Sequence, residues 1–294
     1  MNSAPPTSYF APAKLNLFLH VVGRRADGYH LLESVFQLLD FGDDISIAVR
    51  GDGVIRRGSD IPGVPESEDL VIRAAQALKA ASGTSLGAEI GVTKRIPMGG
   101  GLGGGSSDAA TVLLALNRLW NLRLNRAQLM AIGVKLGADV PFFLYGQNAF
   151  AAGIGEQLQA LDLPPRWFVV LKPPAAVPTV EIFRAPDLTR DTKSVKIADF
   201  PAGEWSFPQT RFANDLQPVA FDRYPVVAQA AQWLAQHDAA AAITARMTGS
   251  GACVFSAFAT EQEARRVYVE RPARYEGFVA RSLHRHPLAD CAED

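Results

Sequence analysis

Only two cysteines, Cys253 and Cys291, occur in 294 residues. That excludes a disulfide framework and a cysteine-rich metal cluster, and it suits a reducing cytoplasm. An excess of either charge is missing too. Lys and Arg number 29 against 30 Asp and Glu, a net charge of −1. No global field draws such a chain to nucleic acid or to an anionic membrane, so neither partner is expected and any recognition of phosphate has to be local. No apolar run reaches the roughly 18 residues of a membrane span. Residues 1–12 lack the basic and apolar regions of a signal peptide. What is present is 48% hydrophobic and 20% charged residues. This is the balance of a soluble globular protein, long enough for one large domain or two ordinary ones.

Apolar patterning gives a coarse map. Residues 13–22 read as a strand interrupted by Lys14, Asn16 and His20, and a turn follows before Tyr29 and His30. Further strands are expected over 35–39 and 44–49, with Gly42 and Asp43 as the turn between them. Residues 51–67 read as loop and short hairpin. The spacing of Leu70, Val71, Ala74, Ala75 and Leu78 predicts a helix over 70–81, stopped at Gly83. Alternation predicts a strand over 89–96, and a continuous apolar run predicts a buried helix over 109–119. A helix over 126–136 and an extended segment from Asp139 to Phe143 follow. Later come a strand over 167–172, a polar loop over 185–211, and helices over 224–237 and 261–270. The four alanines at 239–242 read as a helix segment. The domain boundary is expected between 150 and 165, giving domains of 1–155 and 156–294.

Six glycines fill the seven positions from 99 to 105. Glycine is entropically costly to order, so such a stretch is kept where the backbone must approach something closely. This one joins a strand to a helix N-terminus, where unpaired N–H groups and the helix dipole favour phosphate. Ser106 and Ser107 add hydroxyls suited to a cap, a phosphate or a Mg²⁺ contact. The loop has no lysine, which excludes the Gly-Lys-Ser/Thr type of phosphate loop. Gly99, Gly101 and Gly104 fit a dinucleotide fingerprint, yet residues 116–122 hold no acidic group to bind a ribose. Cleft contacts aside, Asp139 suits a turn or cap, or a general base; Lys14 suits a side chain stretching to the surface, or a partner for a buried acid. Met247-Thr248-Gly249-Ser250-Gly251 is a second, shorter glycine loop running into a strand. His284 and His286 hint only faintly at metal, because chain ends are usually solvated.

Three segments together resemble the GHMP kinases: the glycine loop from Pro97 to Ser107, the N-terminal Ala11-Pro12-Ala13-Lys14-Leu15-Asn16, and the second glycine loop from Met247. They occur in that family's order and lie in both halves of the chain. The resemblance implies an α+β fold of two domains with the active site in the cleft between them. It implies an ATP-dependent small-molecule kinase that uses Mg²⁺. Lys14 and Asp139 would be catalytic, the Asp taking the proton of the attacking hydroxyl. ATP would be held by Pro97, Met98, Gly99, Gly100, Gly101, Leu102, Gly103, Gly104, Gly105, Ser106 and Ser107, with Lys94 and Asp69. Arg25 to His30, Gly137 to Pro141 and Asn214 to Leu216 are similar to the family members that phosphorylate the 2-hydroxyl of a cytidine diphosphate-linked methylerythritol. That resemblance implies substrate contacts from Asn16, Tyr29, His30, Thr179, Phe183, Thr248 and Gly249. Homoserine or mevalonate-type kinases, or a nucleotide-binding protein of this fold without catalysis, are the alternatives. Two positions depart from the family pattern. Asp69 stands where an Asn is usual, and would alter an adenine contact or face solvent. Asp108 follows Ser107, and would repel the triphosphate or hold Mg²⁺. Monomer and homodimer both remain open.

Overall fold

The computed structural model describes residues 6–196, 207–208 and 210–293. The expected loop over 185–211 lies in part outside them. Two long antiparallel strands, β1 (Thr7–Arg24) and β2 (His30–Arg50), open the chain. β2 is continuous, so Gly42 and Asp43 form no turn. The reason is local packing. A Cβ on Gly42 would meet the Ala11 carbonyl oxygen at 2.2 Å, so glycine lets the two strands approach. Asp43 is buried and its Oδ1 accepts the backbone N–H groups of Arg95 (2.5 Å) and Ile96 (2.7 Å).

β3 (Ile55–Arg57) pairs in parallel with β4 (Gly87–Thr93) rather than forming a hairpin. A parallel pair needs a crossover, and α1 (Leu70–Ser82) supplies it. Asp69 caps α1 by accepting from the Val71 N–H, and Gly83 ends it at φ +68°. α2 (Gly104–Leu119) begins inside the glycine run and is buried on every side from Ser107 to Asn117. α3 (Arg126–Gly133) carries a capping box from Asn125 and Gln128. Residues 140–145 are helical, α4 (Val140–Tyr145), not extended. Pro141 sits in the first turn, where its missing N–H costs no helix bond.

β5 (Ala149–Ala152) pairs with β2 and with β6 (Gln157–Ala160). The second half holds β7 (Trp167–Lys172), α5 (Thr179–Arg184), α6 (Gln217–Arg223), α7 (Pro225–His237), β8 (Ile243–Met247), β9 (Val254–Phe258), α8 (Glu261–Val269) and β10 (Glu276–Leu283). The alanines at 239–242 do not extend α7. Asp238 accepts the Ala245 N–H (2.6 Å) and the Ser256 hydroxyl (2.8 Å), which turns the chain directly into β8.

β10 joins the two halves. It pairs with β7 along Glu276–Arg281 and with β2 at Ser282 and Leu283. The resulting order is β3-β4-β2-β10-β7-β9-β8, with β1 on β2. One core lies between this sheet's first half and α1, α2 and α4; another lies between β7–β9 and α6–α7. The C-terminal segment is anchored to the fold through a few buried residues, although His284 is exposed. His286 is buried, its N–H bonds the Gly146 carbonyl, and Arg126 donates to the carbonyls of Ala289 and Ala292.

Candidate active site

The site is built along the outer edge of β1. Its N–H groups on that edge bond neither β2 nor solvent. Lys14 N–H donates to the Leu102 carbonyl in the first glycine loop (3.0 Å), and Asn16 N–H to Thr248 Oγ1 in the second (2.9 Å). Leu19 N–H donates to the Ala213 carbonyl (3.1 Å), and Val21 N–H to Asp215 Oδ2 (2.7 Å). One strand thus carries both glycine loops and the 213–216 segment. Irregular register in β1 at Pro12/Lys14 and at Asn16/Leu19 makes room for this.

Lys14 and Asn16 are two residues apart and so share a face. Both are buried, at 3% and 2% exposure, which excludes a Lys14 that reaches the surface. Lys14 Nζ donates to Asn16 Oδ1 (2.6 Å) and lies 3.3 Å from Asp139 Oδ2. Asn16 Nδ2 donates to Ser34 Oγ (2.8 Å), whose hydroxyl donates to the Phe18 carbonyl (2.6 Å). The amide is thereby oriented with its oxygen toward the ammonium. Asp139 precedes α4 in the cap position, yet its side chain makes no capping hydrogen bond. Its carboxylate is one-third exposed and turned to the cleft with Lys14 as its ion partner. The 125 residues between the two vanish because β1 and the start of α4 both abut the first glycine loop.

That loop packs on the second one. A Cβ on Gly101 would lie 2.3 Å from the Thr248 carbonyl oxygen, and Gly101 has φ +75°. The N–H groups of Ala252 and Cys253 donate to the carbonyls of Gly99 and Gly100. Asn214 fixes the second loop from behind, Nδ2 donating to the carbonyls of Met247 (2.9 Å) and Gly249 (2.8 Å). Gly104 and Gly105 form the first turn of α2, which has no side-chain cap. Its leading N–H groups therefore face the cleft unpaired by the helix.

The cleft encloses about 610 Å³. Pro97 to Ser106 line it, with Lys14, Asn16, Asp69, Lys94, Asp108, Asp139, Thr179, Phe183 and Gly249. Two residues expected to make contacts lie beneath its surface. Ser107 is fully buried and its hydroxyl donates to the Pro12 carbonyl (2.6 Å). Thr248 is fully buried and its hydroxyl is taken by Asn16. Both hold the loops in place. Neither Tyr29 nor His30 lines the cleft: Tyr29 is 60% exposed, and His30 packs its ring on Phe183, which does line it, with centroids 5.1 Å apart. Thr179 and Ser250 share a hydroxyl–hydroxyl bond of 2.7 Å.

Asp69 does not face solvent. It is 4% exposed, caps α1 and approaches Arg57 at 3.4 Å. Asp108 neither stands alone beside the loop nor is bare charge. Lys94 Nζ lies 2.8 Å from Asp108 Oδ2 and 2.5 Å from Asp43 Oδ2. Burial pushes the Asp108 carboxyl up to about 7 against the pull of Lys94, and Asp43 adds to the rise. Burial alone would lower Lys94, but Asp108 and Asp43 outweigh it and hold the ammonium above its usual range. Sequence reading missed Ser34, Asp43 and Arg190 as site supports. Ser34 lies just before the expected strand over 35–39, Asp43 lies in the expected turn, and Arg190 lies in a polar loop.

The segment 185–196 is a strap over this end of β1 and β2. Thr192 donates to Asp215 Oδ2 (2.7 Å), and Ser194 Oγ and Val195 N–H donate to the two oxygens of Glu33 (2.5 and 2.8 Å).

Comparison with known proteins agrees with this layout. The sequence matches the GHMP kinases N terminal domain over residues 69–147 and the GHMP kinases C terminal domain over 206–277. It is 57% identical over 278 residues to a 4-diphosphocytidyl-2-C-methyl-D-erythritol kinase of Aromatoleum aromaticum, covering 95% of this chain and 94% of that one. The crystal structure of a 4-(cytidine 5'-diphospho)-2C-methyl-D-erythritol kinase superposes with TM-score 0.79 at 33% identity, covering 94% of this chain and 99% of that one. The homoserine kinase of Cytophaga hutchinsonii shares the fold at TM-score 0.68 and 17% identity, covering 97% of each chain. With both family domains matched, in order, around the cleft that Lys14 and Asp139 share, the chain belongs to the GHMP kinase family.

Proposed function

We propose that this protein transfers the γ-phosphoryl group of ATP to the 2-hydroxyl of 4-diphosphocytidyl-2-C-methyl-D-erythritol, a step in isoprenoid precursor synthesis, and that it does so in the cytoplasm. The observation that carries the reading is the Lys14–Asp139 pair, 3.3 Å apart, on the wall of a cleft floored by the glycine loop.

ATP fits this floor. The loop presents backbone N–H groups at the start of α2, with no side chains from 99 to 101 to obstruct an approaching phosphate. Lys94 and Asp69 line the same cleft and would face the nucleotide held by this loop. Mg²⁺ normally binds through phosphates, waters and few protein oxygens. Ser106 Oγ, which lines the cleft and has no protein hydrogen bond among the described residues, is an oxygen that could help hold it. When bound, Mg²⁺ would neutralise charge on the phosphoryl oxygens.

Asp139 then accepts the proton of the substrate hydroxyl as that oxygen attacks phosphorus. Lys14 has three N–H donors. One goes to Asn16 and one faces Asp139, which leaves one for the transferring phosphoryl oxygens. Phe183 lines the cleft with His30 packed on its ring, an aromatic surface suited to a nucleobase, which supports a cytidylyl substrate over homoserine or mevalonate.

The test is ADP release with Mg·ATP and, separately, 4-diphosphocytidyl-2-C-methyl-D-erythritol, homoserine and mevalonate. Turnover on the cytidylyl compound is expected. Turnover on homoserine or mevalonate alone would reject the assignment.

A further inference from the structure

His30 is held by a donor that can only donate. Arg190 Nε lies 3.2 Å from His30 Nε2. A guanidinium stays protonated and has no acceptor. His30 Nε2 must therefore offer its lone pair, and a neutral imidazole with a filled Nε2 lone pair carries its proton on Nδ1. The surroundings keep the ring neutral, since burial, Arg190 and then Arg24 all lower its pKa. Nδ1 has no protein partner among the described residues.

Arg190 is itself tightly fixed. Its Nη1 donates to the Leu188 carbonyl (2.9 Å), and its Nη2 to those of Phe183 (3.3 Å) and Ala185 (2.5 Å). The guanidinium thereby ties the C-terminal end of α5, which carries Phe183, to His30. The strap that bears Arg190 is pinned in turn by Glu33 and Asp215.

We propose that Arg190 is a positioning residue for the selection of cytosine over uracil, fixing His30 as an Nδ1–H donor beside Phe183, the ring through which it adjoins the cleft. The inference rests on the cytidylyl-substrate reading above. Cytosine presents an acceptor at N3, whereas uracil presents N3–H there. A fixed N–H donor pairs with the first and opposes the second. A histidine free to change tautomer would satisfy either. An unmatched buried donor pair is worth roughly ten- to a hundredfold in affinity.

The experiment compares wild type, Arg190→Met and Arg190→Lys. CDP and UDP affinities are measured by calorimetry, and ¹⁵N shifts of His30 report its tautomer. Wild type is expected to prefer CDP by roughly ten- to a hundredfold, with His30 protonated at Nδ1. Arg190→Met should bring the CDP/UDP ratio toward one and let the Nε2–H form appear. Arg190→Lys retains a donor and should recover most of both signals. Because Arg190 also ties three carbonyls, His30→Phe serves as an independent variant. It keeps a ring on Phe183 but removes the donor, and should lose the preference. An unchanged ratio in folded Arg190→Met or in His30→Phe, or a wild-type His30 protonated at Nε2, overturns the inference while leaving the kinase reading intact. A wild type that binds neither nucleotide and does not turn over the cytidylyl substrate overturns the reading on which it rests.

Discussion

Replacing Gly101 by Ala tests whether the two glycine loops work as one packed unit. The added Cβ would sit 2.3 Å from the Thr248 carbonyl oxygen and 3.1 Å from its carbon, both backbone atoms that cannot swing aside. Gly101 also has φ +75°, which costs an L-residue about 1–2 kcal/mol. Relieving the overlap adds roughly 1–3 kcal/mol by analogy with overpacked cores. The summed loss is about 2–5 kcal/mol. Gly99→Ala is the control. It has φ +66° but nothing within 4 Å of a new Cβ, so only about 1–2 kcal/mol of backbone strain is expected. Activity should separate the two further. Thr248 Oγ1 accepts from Asn16 N–H and Leu102 accepts from Lys14 N–H, so parting the loops displaces the strand that carries Lys14. A misplacement of about 1 Å can cost on the order of 10² in rate. Urea denaturation and kcat/KM for ATP measure both effects. Equal stability and equal kcat/KM in the two variants would refute the packed-unit argument.

Arg246, 1% exposed, donates to the carbonyls of Thr244, Leu17, Phe212 and Phe207, and burial pushes its guanidinium down to about 10. Arg246→Met should cost roughly 3–5 kcal/mol in urea denaturation, since it leaves several buried carbonyls without donors. His286 accepts the Leu288 N–H at Nδ1 and approaches Thr111 through Nε2, and burial with Arg126 nearby pushes its pKa down to about 3. Its folded pKa lies below the unfolded value near 6.5, so the unfolded chain takes up a proton that the folded chain refuses as pH falls. Stability should therefore drop by about 1.4 kcal/mol between pH 7.5 and 5.5 from this group. His286→Asn, which keeps an acceptor for Leu288, should remove that share of the slope; an unchanged slope would show that His286 titrates freely.

Much of the chemistry was readable because it resides in short runs. The glycine loop, Lys14 and Asp139 are visible as residue types out of place in their surroundings. The helix over 70–81 followed from simple periodicity, and the strand over 167–172 is a short apolar run. What was not legible depended on long-range packing. Gly42 and Asp43 look like a turn, yet Asp43 is held by three groups more than 50 residues away. The buried tail around His286 depends on Arg126 and Gly146. Ser107 and Thr248 look like ligands because hydroxyls in glycine loops often are, but each is consumed by β1 or its flank. β10 gave no sign that it would stitch the two halves together, because its pairing partners are over 100 residues distant in one case and over 240 in the other.

The most direct test of the account is Asp139→Asn, assayed with Mg·ATP and 4-diphosphocytidyl-2-C-methyl-D-erythritol. The amide fills the same space next to Lys14 but cannot accept the hydroxyl proton. The account predicts a fall in kcat of roughly 10²–10⁴ with ATP still bound, as read by nucleotide titration. A kcat near that of the unaltered protein would contradict it.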